Sequence, residues 1–286
     1  MASLKDIRRR IRATKSMQQI FKAMEMVAAA KLRRAQARAQ AASPYSARIS
    51  AMLTNLSASA SELEHPLFKV REAKVTALVV ITADRGFAGP YNTAILRVAE
   101  QRLKAAPPGS IQCVVVGRKG RDYLKRRNYP VLASYADLPG EASLELARQL
   151  TQDLTDRFLS GEVDRVEILY THFVNAMVRK VMEETFLPIG AGAANEAAAG
   201  GGSAIFEPNA ESIFAELLPR YATAKLYAAM ADSLASEHSA RMVAMGSARK
   251  NAGELVDSLT LTRNRLRQAM ITREISELVA GAEALK

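Results

Sequence analysis

The stretch Ala2–Ser43 reads ASLKDIRRRIRATKSMQQIFKAMEMVAAAKLRRAQARAQAAS and contains neither glycine nor proline. Apolar residues recur at Leu4, Ile7, Ile11, Met17, Phe21, Met24, Ala28 and Leu32. Steps mostly of three and four place them on one face of a helix. The pattern resumes after Pro44 at Tyr45, Ile49, Met52, Leu53 and Leu56. Ser43 before Pro44 predicts a kink or a local loosening there. At about 1.5 Å per residue, about 55 residues of helix reach about 80 Å, longer than a compact domain is wide.

The other end repeats the design. Glu211 to about Leu285 carries Phe214, Leu217, Leu218, Tyr221, Leu226, Met230, Leu234, Met242, Met245, Leu255, Leu259, Leu266, Ile271, Ile275 and Leu278. Gly246 and Gly253 interrupt it, each at roughly 1 kcal/mol against alanine in a helix. With frequent alanines from Ala228 to Ala252, they predict close helix–helix approach or some flexibility. A single apolar stripe needs cover. Each long helix is the obvious cover for the other, which predicts an antiparallel, left-handed coiled coil. Its heptads are irregular and interrupted by polar residues. This leaves open that the tips are sheathed by another protein.

Between the helices the pattern changes. Val75–Thr82, Ile111–Val116, Val131–Tyr135 and Val166–Phe173 read as strands, with Val181–Leu187 as an added edge strand. Tyr91–Lys104, Arg118–Arg127 and Glu141–Leu159 read as helices. This alternation predicts a Rossmann-like α/β domain with a mostly parallel five-stranded sheet. The expected organisation is a coiled-coil helix over 1–60, an α/β domain over 70–190, a Gly/Ala-rich flexible loop over 191–208 and a second coiled-coil helix over 209–286.

Charge is unevenly placed. Residues 1–50 hold 12 Lys and Arg against Asp6 and Glu25, a net +10 out of the chain's +11. The basic helix therefore expects an acidic or anionic partner. Arg8–Arg10, Arg12 and the run Lys31–Arg34 fit phosphate neutralisation on a nucleic acid, but no interleaved aromatic offers stacking. The single cysteine, Cys113, lies in an apolar run and reads as a small buried hydrophobe. A chain with one cysteine fits a reducing compartment. No membrane span and no secretory signal are expected.

Chemistry-bearing motifs are scarce. The turns Asp84–Gly89 and Gly117–Gly120 follow strands and precede helices, the place where backbone N–H groups hold phosphate. Neither turn matches a nucleotide fingerprint. The three histidines, His65, His172 and His238, are scattered without metal-ligand spacing. For His238 an interhelical hydrogen bond is expected. The run Leu261–Glu274 is dense in Arg, Asn, Gln and Thr and reads as a protein-contacting collar, because Arg grips carboxylates with two parallel bonds. Two other readings stay open on these residues: a nucleotide-binding enzyme on the sheet domain, and a basic coiled coil on nucleic acid.

Several segments together resemble one family along nearly the whole chain. They are Ile7–Ile11, Ile20–Ala28, Asp84–Asn92, Ser236–Met245 and Asn264–Ala282. The family is the gamma subunit of rotary F-type ATP synthases, in its bacterial type. The resemblance implies a central shaft inside a hexamer of alpha and beta subunits, one copy per complex. It also implies a sheet domain beside the epsilon subunit, near the membrane ring of c subunits. Ion flow would turn ring and shaft together, and the shaft would drive the beta subunits through states that bind, make and release ATP. The chain would be non-catalytic and would need no cofactor. It would sit at the cytoplasmic face of the bacterial plasma membrane as part of the complex, with no span and no nucleic acid of its own. Matching positions implies hexamer contacts at Lys22, Met24, Arg241, Arg267, Gln268 and Thr272. Contacts with the c ring are implied at Tyr45, Phe206 and Glu207. Phe21, Gly246 and Arg273 depart from the family's usual pattern. With one cysteine, the thiol-regulated segment of the chloroplast type is not expected.

Overall fold

The computed structural model describes residues 3–59, 65–137, 140–189 and 210–283, with side chains over the same residues except 39, 41–59, 210–215 and 283. The expected loop over 191–208 lies outside the described residues. Helix α1 spans Leu4–Ser59 and helix α5 spans Ala210–Glu283. Between them come β1 (Thr76–Ile81), α2 (Tyr91–Ala105), β2 (Ile111–Val116), α3 (Arg118–Arg126), β3 (Val131–Tyr135), α4 (Leu144–Ser160), β4 (Arg165–Phe173) and β5 (Arg179–Leu187). The chain falls into two compact units: Met1–Ala28 with Met242–Lys286, and Ala29–Arg241.

Helix α1 starts on a reciprocal cap. Asp6 N donates to Ser3 Oγ at 3.2 Å, and Ser3 Oγ donates to Asp6 Oδ2 at 2.9 Å. This is the logic of a capping box. The Ser3 hydrogen bonds hold the Asp6 carboxyl below its usual range. The helix does not break at Ser43–Pro44; its backbone is helical through both. Proline removes one N–H, and a long helix with bonds on either side tolerates the loss.

In the larger unit the sheet order is β3-β2-β1-β4-β5. The first four strands are parallel, and β5 runs antiparallel to β4 at the edge. Successive side chains alternate between two faces. Ala77, Val79, Ile81, Val114, Val116, Val166 and Ile168 pack against Leu150, Leu154 and Phe158 of α4 and Leu218, Ala222 and Leu226 of α5. Leu78, Val80 and Leu169 face Ile95, Leu96 and Ala99 of α2. Cys113 and Val115 face Leu124 of α3. Both faces are covered, which explains why β1 and β2 are nearly continuous hydrophobic runs. Cys113 is fully buried, and burial pushes its thiol up to about 12. It is a packing residue without thiolate chemistry.

The join of β1, β2 and α3 depends on two glycines. Gly117 has φ of 100°, and a Cβ there would lie 2.2 Å from the Thr82 carbonyl oxygen. A Cβ on Gly120 would lie 2.7 Å from Thr82 Oγ1. Gly117→Ala is therefore expected to cost about 3 kcal/mol or more, combining left-handed strain with a backbone clash. Urea unfolding of the full chain measures this; a loss below about 1 kcal/mol would contradict the packing.

Candidate partner-contact surface

The two glycine turns of the sheet domain close on each other. Arg118 N donates to Asp84 Oδ1 at 2.7 Å, and Lys119 N donates to the Ala83 carbonyl at 3.0 Å. Gly120 N donates to Thr82 Oγ1 at 2.9 Å, and that hydroxyl donates to the Val116 carbonyl at 2.9 Å. Ala83 N donates to Asn92 Oδ1 at 3.0 Å. The N–H groups that begin α3 are thus taken by the end of β1. A helix N-terminus holds phosphate only when these donors are free. The structure gives the nucleotide reading of this turn no support. Among the described residues, no group of three His, Cys, Asp or Glu gathers to hold a metal.

In the smaller unit α1 and α5 pack side by side. Ile7 and Ile11 bury against Val256, with Leu259 and Leu266 alongside. Further along α1, Gln18 lies beside Gly253, where its amide nitrogen would be 2.9 Å from an added Cβ. Further still, Arg249 Nε donates to Glu25 Oε2 at 2.8 Å. A Cβ on Gly246 would lie 3.2 Å from Glu25 Oε1. Rising numbers on α1 meet falling numbers on α5, so the pairing is antiparallel. Both glycines make room for polar side chains of α1, which accounts for their helix cost.

The outer face of this pair is bare. Met17, Ile20, Met26 and Val27 of α1 are exposed, Met26 at 64%. Every residue from Arg267 to Ala282 on α5 is exposed, including Met270, Ile271, Ile275, Leu278 and Val279. Leu278 is 74% exposed. Arg8, Arg10, Arg12 and Lys15 add exposed positive charge on α1. Lys22, Arg267, Gln268 and Thr272 lie exposed on these helices, and Met24 is half-buried. Among the described residues Arg267 makes no ion pair. A neighbouring charge is less free, since Arg273 Nε holds Glu277 Oε1 at 2.7 Å. Apolar side chains left bare along a helix pair mark a surface for another protein.

The remaining expected positions differ. Arg241 belongs to the larger unit and its guanidinium is held internally. It donates to Glu237 Oε1 at 2.6 Å and to the Gly86 carbonyl at 3.2 Å, and its side chain is 12% exposed. It thereby anchors the turn that carries Phe87. Phe87 is 73% exposed with φ of 61°. A bulky residue in the left-handed region, bare to solvent, was not legible in the sequence. Tyr45 lies on α1 where side chains are not described, and Phe206 and Glu207 lie outside the described residues.

His238 does not make an interhelical bond. Its Nδ1 lies 3.3 Å from Arg241 Nη1, one turn along the same helix, and the ring also bonds the Gly140 backbone. Burial, then the charges of Arg241 and Lys31, push its pKa down to about 4. The unfolded ring titrates near 6.5, so the unfolded chain binds more protons between these values. Stability is full above about pH 6.5 and is lost as pH falls toward 4, by up to about 3 kcal/mol from this residue. His238→Gln should flatten the profile of unfolding midpoint against pH. An unchanged profile would contradict this assignment.

No helix among the described residues is long and apolar enough to cross a membrane. The sequence profile of the family described as ATP synthase matches residues 3–285. The ATP synthase gamma chain of Moorella thermoacetica is 45% identical over 287 residues, with 100% of each chain covered. That of Heliobacterium modesticaldum is 45% identical over 291 residues, again with 100% of each covered. A solved chain from the central stalk and c-ring of the Tetrahymena thermophila mitochondrial ATP synthase is 26% identical. It covers 80% of this chain and 99% of its own, with a TM-score of 0.64. A chain of the Euglena gracilis mitochondrial ATP synthase shares the fold at 20% identity and a TM-score of 0.72, covering 99% of this chain and 94% of its own. By profile, by relatives matched end to end and by fold, the chain belongs to the ATP synthase gamma chain family.

Proposed function

We propose that this chain is the central rotor shaft of an F-type ATP synthase. It couples rotation of a membrane c ring to ATP synthesis and hydrolysis at a hexamer of alpha and beta subunits. The carrying observation is the bare outer face of the α1–α5 pair in the smaller unit, where Met17, Ile20, Met26, Leu278 and Val279 lie exposed beside free Arg and Lys. An isolated helix pair has no reason to keep such a face; a pair sleeved by acidic and apolar partner loops does. Each orientation of an asymmetric shaft stabilises a different conformation of each beta subunit, and this differential contact is the coupling.

On this reading the chain carries no catalytic group. Lys22, Met24, Arg267, Gln268 and Thr272 meet the hexamer. Arg241 acts from within, holding the Gly86–Ala88 turn in place. The sheet domain sits beside the epsilon subunit. Tyr45, Phe206 and Glu207 approach the c ring at the cytoplasmic face of a bacterial plasma membrane. The test is reconstitution. The pure chain should hydrolyse no ATP, and adding it to alpha and beta subunits of the same source should yield a stable complex that does. ATP turnover by the pure chain, or a hexamer that assembles and ignores it, would overturn the reading.

A further inference from the structure

Within the larger unit, a cleft lies between α1, α5 and the connection from β3 to α4. Lys31, Arg34, Ala35 and Arg38 line it from α1; Ala231, Leu234 and His238 from α5; Gly140, Glu141 and Ala142 close the third side. The spacing on α1 is three, four and seven, which is the stripe a helix normally turns toward its neighbour. Here that stripe carries three cations where packing asks for apolar groups. Gly140, Ala142 and Ala231 across from it are small, and with Ala35 they leave a cavity of about 110 Å³.

The charges are not balanced inside the cleft. Arg38 Nη2 is held by Glu141 Oε2 at 2.5 Å. Among the described residues Lys31 and Arg34 make no ion pair. Glu237 lies nearby but is held by Arg241. His238 is fully used by Arg241 and the Gly140 backbone, and stays neutral at physiological pH. Two cations without a direct ion pair among the described residues, Lys31 within reach of the Glu237 charge, thus face a small, three-sided space.

We propose that this cleft is a binding site for a phosphate-class oxyanion, held between the Lys31 ammonium and the Arg34 guanidinium. A tetrahedral oxyanion accepts two parallel bonds from a guanidinium and a third from an ammonium at once, which a halide cannot do. At about 110 Å³ the space is well below the several hundred Å³ typical of drug-sized ligands and is of the size of a free phosphate. Bound phosphate would bridge Lys31 and Arg34 along α1, one turn from the Arg38–Glu141 pair that links this helix to the residues before α4. The site does not depend on the shaft reading above.

Calorimetric titration of the full chain with inorganic phosphate, in a chloride buffer of fixed ionic strength, tests this. Saturable one-to-one binding is expected. Lys31→Gln and Arg34→Gln should each weaken it by roughly tenfold or more, and Arg33→Gln, an exposed neighbour outside the cleft, should leave it unchanged. Circular dichroism checks that each variant folds. No saturation up to about 10 mM phosphate, where affinity becomes negligible, would overturn the proposal. Equal weakening by Arg33→Gln would overturn it too, as diffuse charge attraction. Arg34-dependent flotation with phosphatidylglycerol vesicles, with no binding of the free ion, would overturn free phosphate in favour of a lipid headgroup.

Discussion

Glu237→Ala is expected to lower the unfolding free energy by about 3–5 kcal/mol, because it strands a buried guanidinium. Glu237 and Arg241 lie one turn apart on α5, with side chains 13% and 12% exposed. Without that carboxylate, the hydrogen bonds left to Arg241 among the described residues run to the Gly86 carbonyl and to a neutral His238. Guanidinium cannot shed its proton in a protein. Arg241→Ala should cost less, because the carboxyl left behind can take up a proton. Burial already raises the Glu237 pKa against the pull of Arg241. In Arg241→Ala that rise should grow, so the folded chain binds more protons than the unfolded one. The variant's stability should then be greatest at low pH and decline as pH rises through the folded value. Chemical unfolding of both variants at pH 5 and pH 8 measures the asymmetry. Equal losses with no difference in pH slope would show that the pair is exposed and weak.

The second large effect concerns coupling. Arg267, Gln268 and Thr272 are exposed on α5, and Arg267 makes no ion pair among the described residues. Replacing all three with alanine should change the chain's stability by no more than about 0.5 kcal/mol. In the assembled complex the same change should reduce ATP-driven ion pumping by roughly 10-fold or more, the weight of a few interface anchors. Met24→Ala should act in the same direction with some added loss of stability, since Met24 is half-buried against its own chain. Membrane vesicles carrying the complex give pumping and hydrolysis side by side. Hydrolysis that persists while pumping falls marks uncoupling. A parallel fall in assembly would instead assign these residues to folding.

The fold was legible where the physics is local. The apolar run of β2 lies at the bounds its composition predicts, because a buried parallel strand leaves no polar alternation to confuse. The start of β5 was hidden by Arg179 and Lys180, since an edge strand carries charge. Helix α4 starts at Leu144, later than the Glu141 its composition predicts. Glu141 and Ala142 favour helix, but Ser143 caps it, accepting from Leu146 N, and Glu141 is left to reach Arg38. The site was less legible. Lys22 and Arg267 are singled out by the family resemblance, not by helical periodicity, and both lie exposed. The inward turn of Arg241 needed Glu237 and the Gly86 carbonyl, 155 residues away in sequence. The closing of α3 by Asp84 is equally non-local, and no pattern within either turn announces it.

The central claim is that this chain turns inside a fixed hexamer. Its most direct test anchors the assembled hexamer to glass, attaches a bead to the sheet domain at an exposed position such as Arg97, and records the bead under ATP. Continuous rotation in one direction, at a rate that follows ATP hydrolysis, is the predicted result. Sustained hydrolysis with the bead stationary would contradict it.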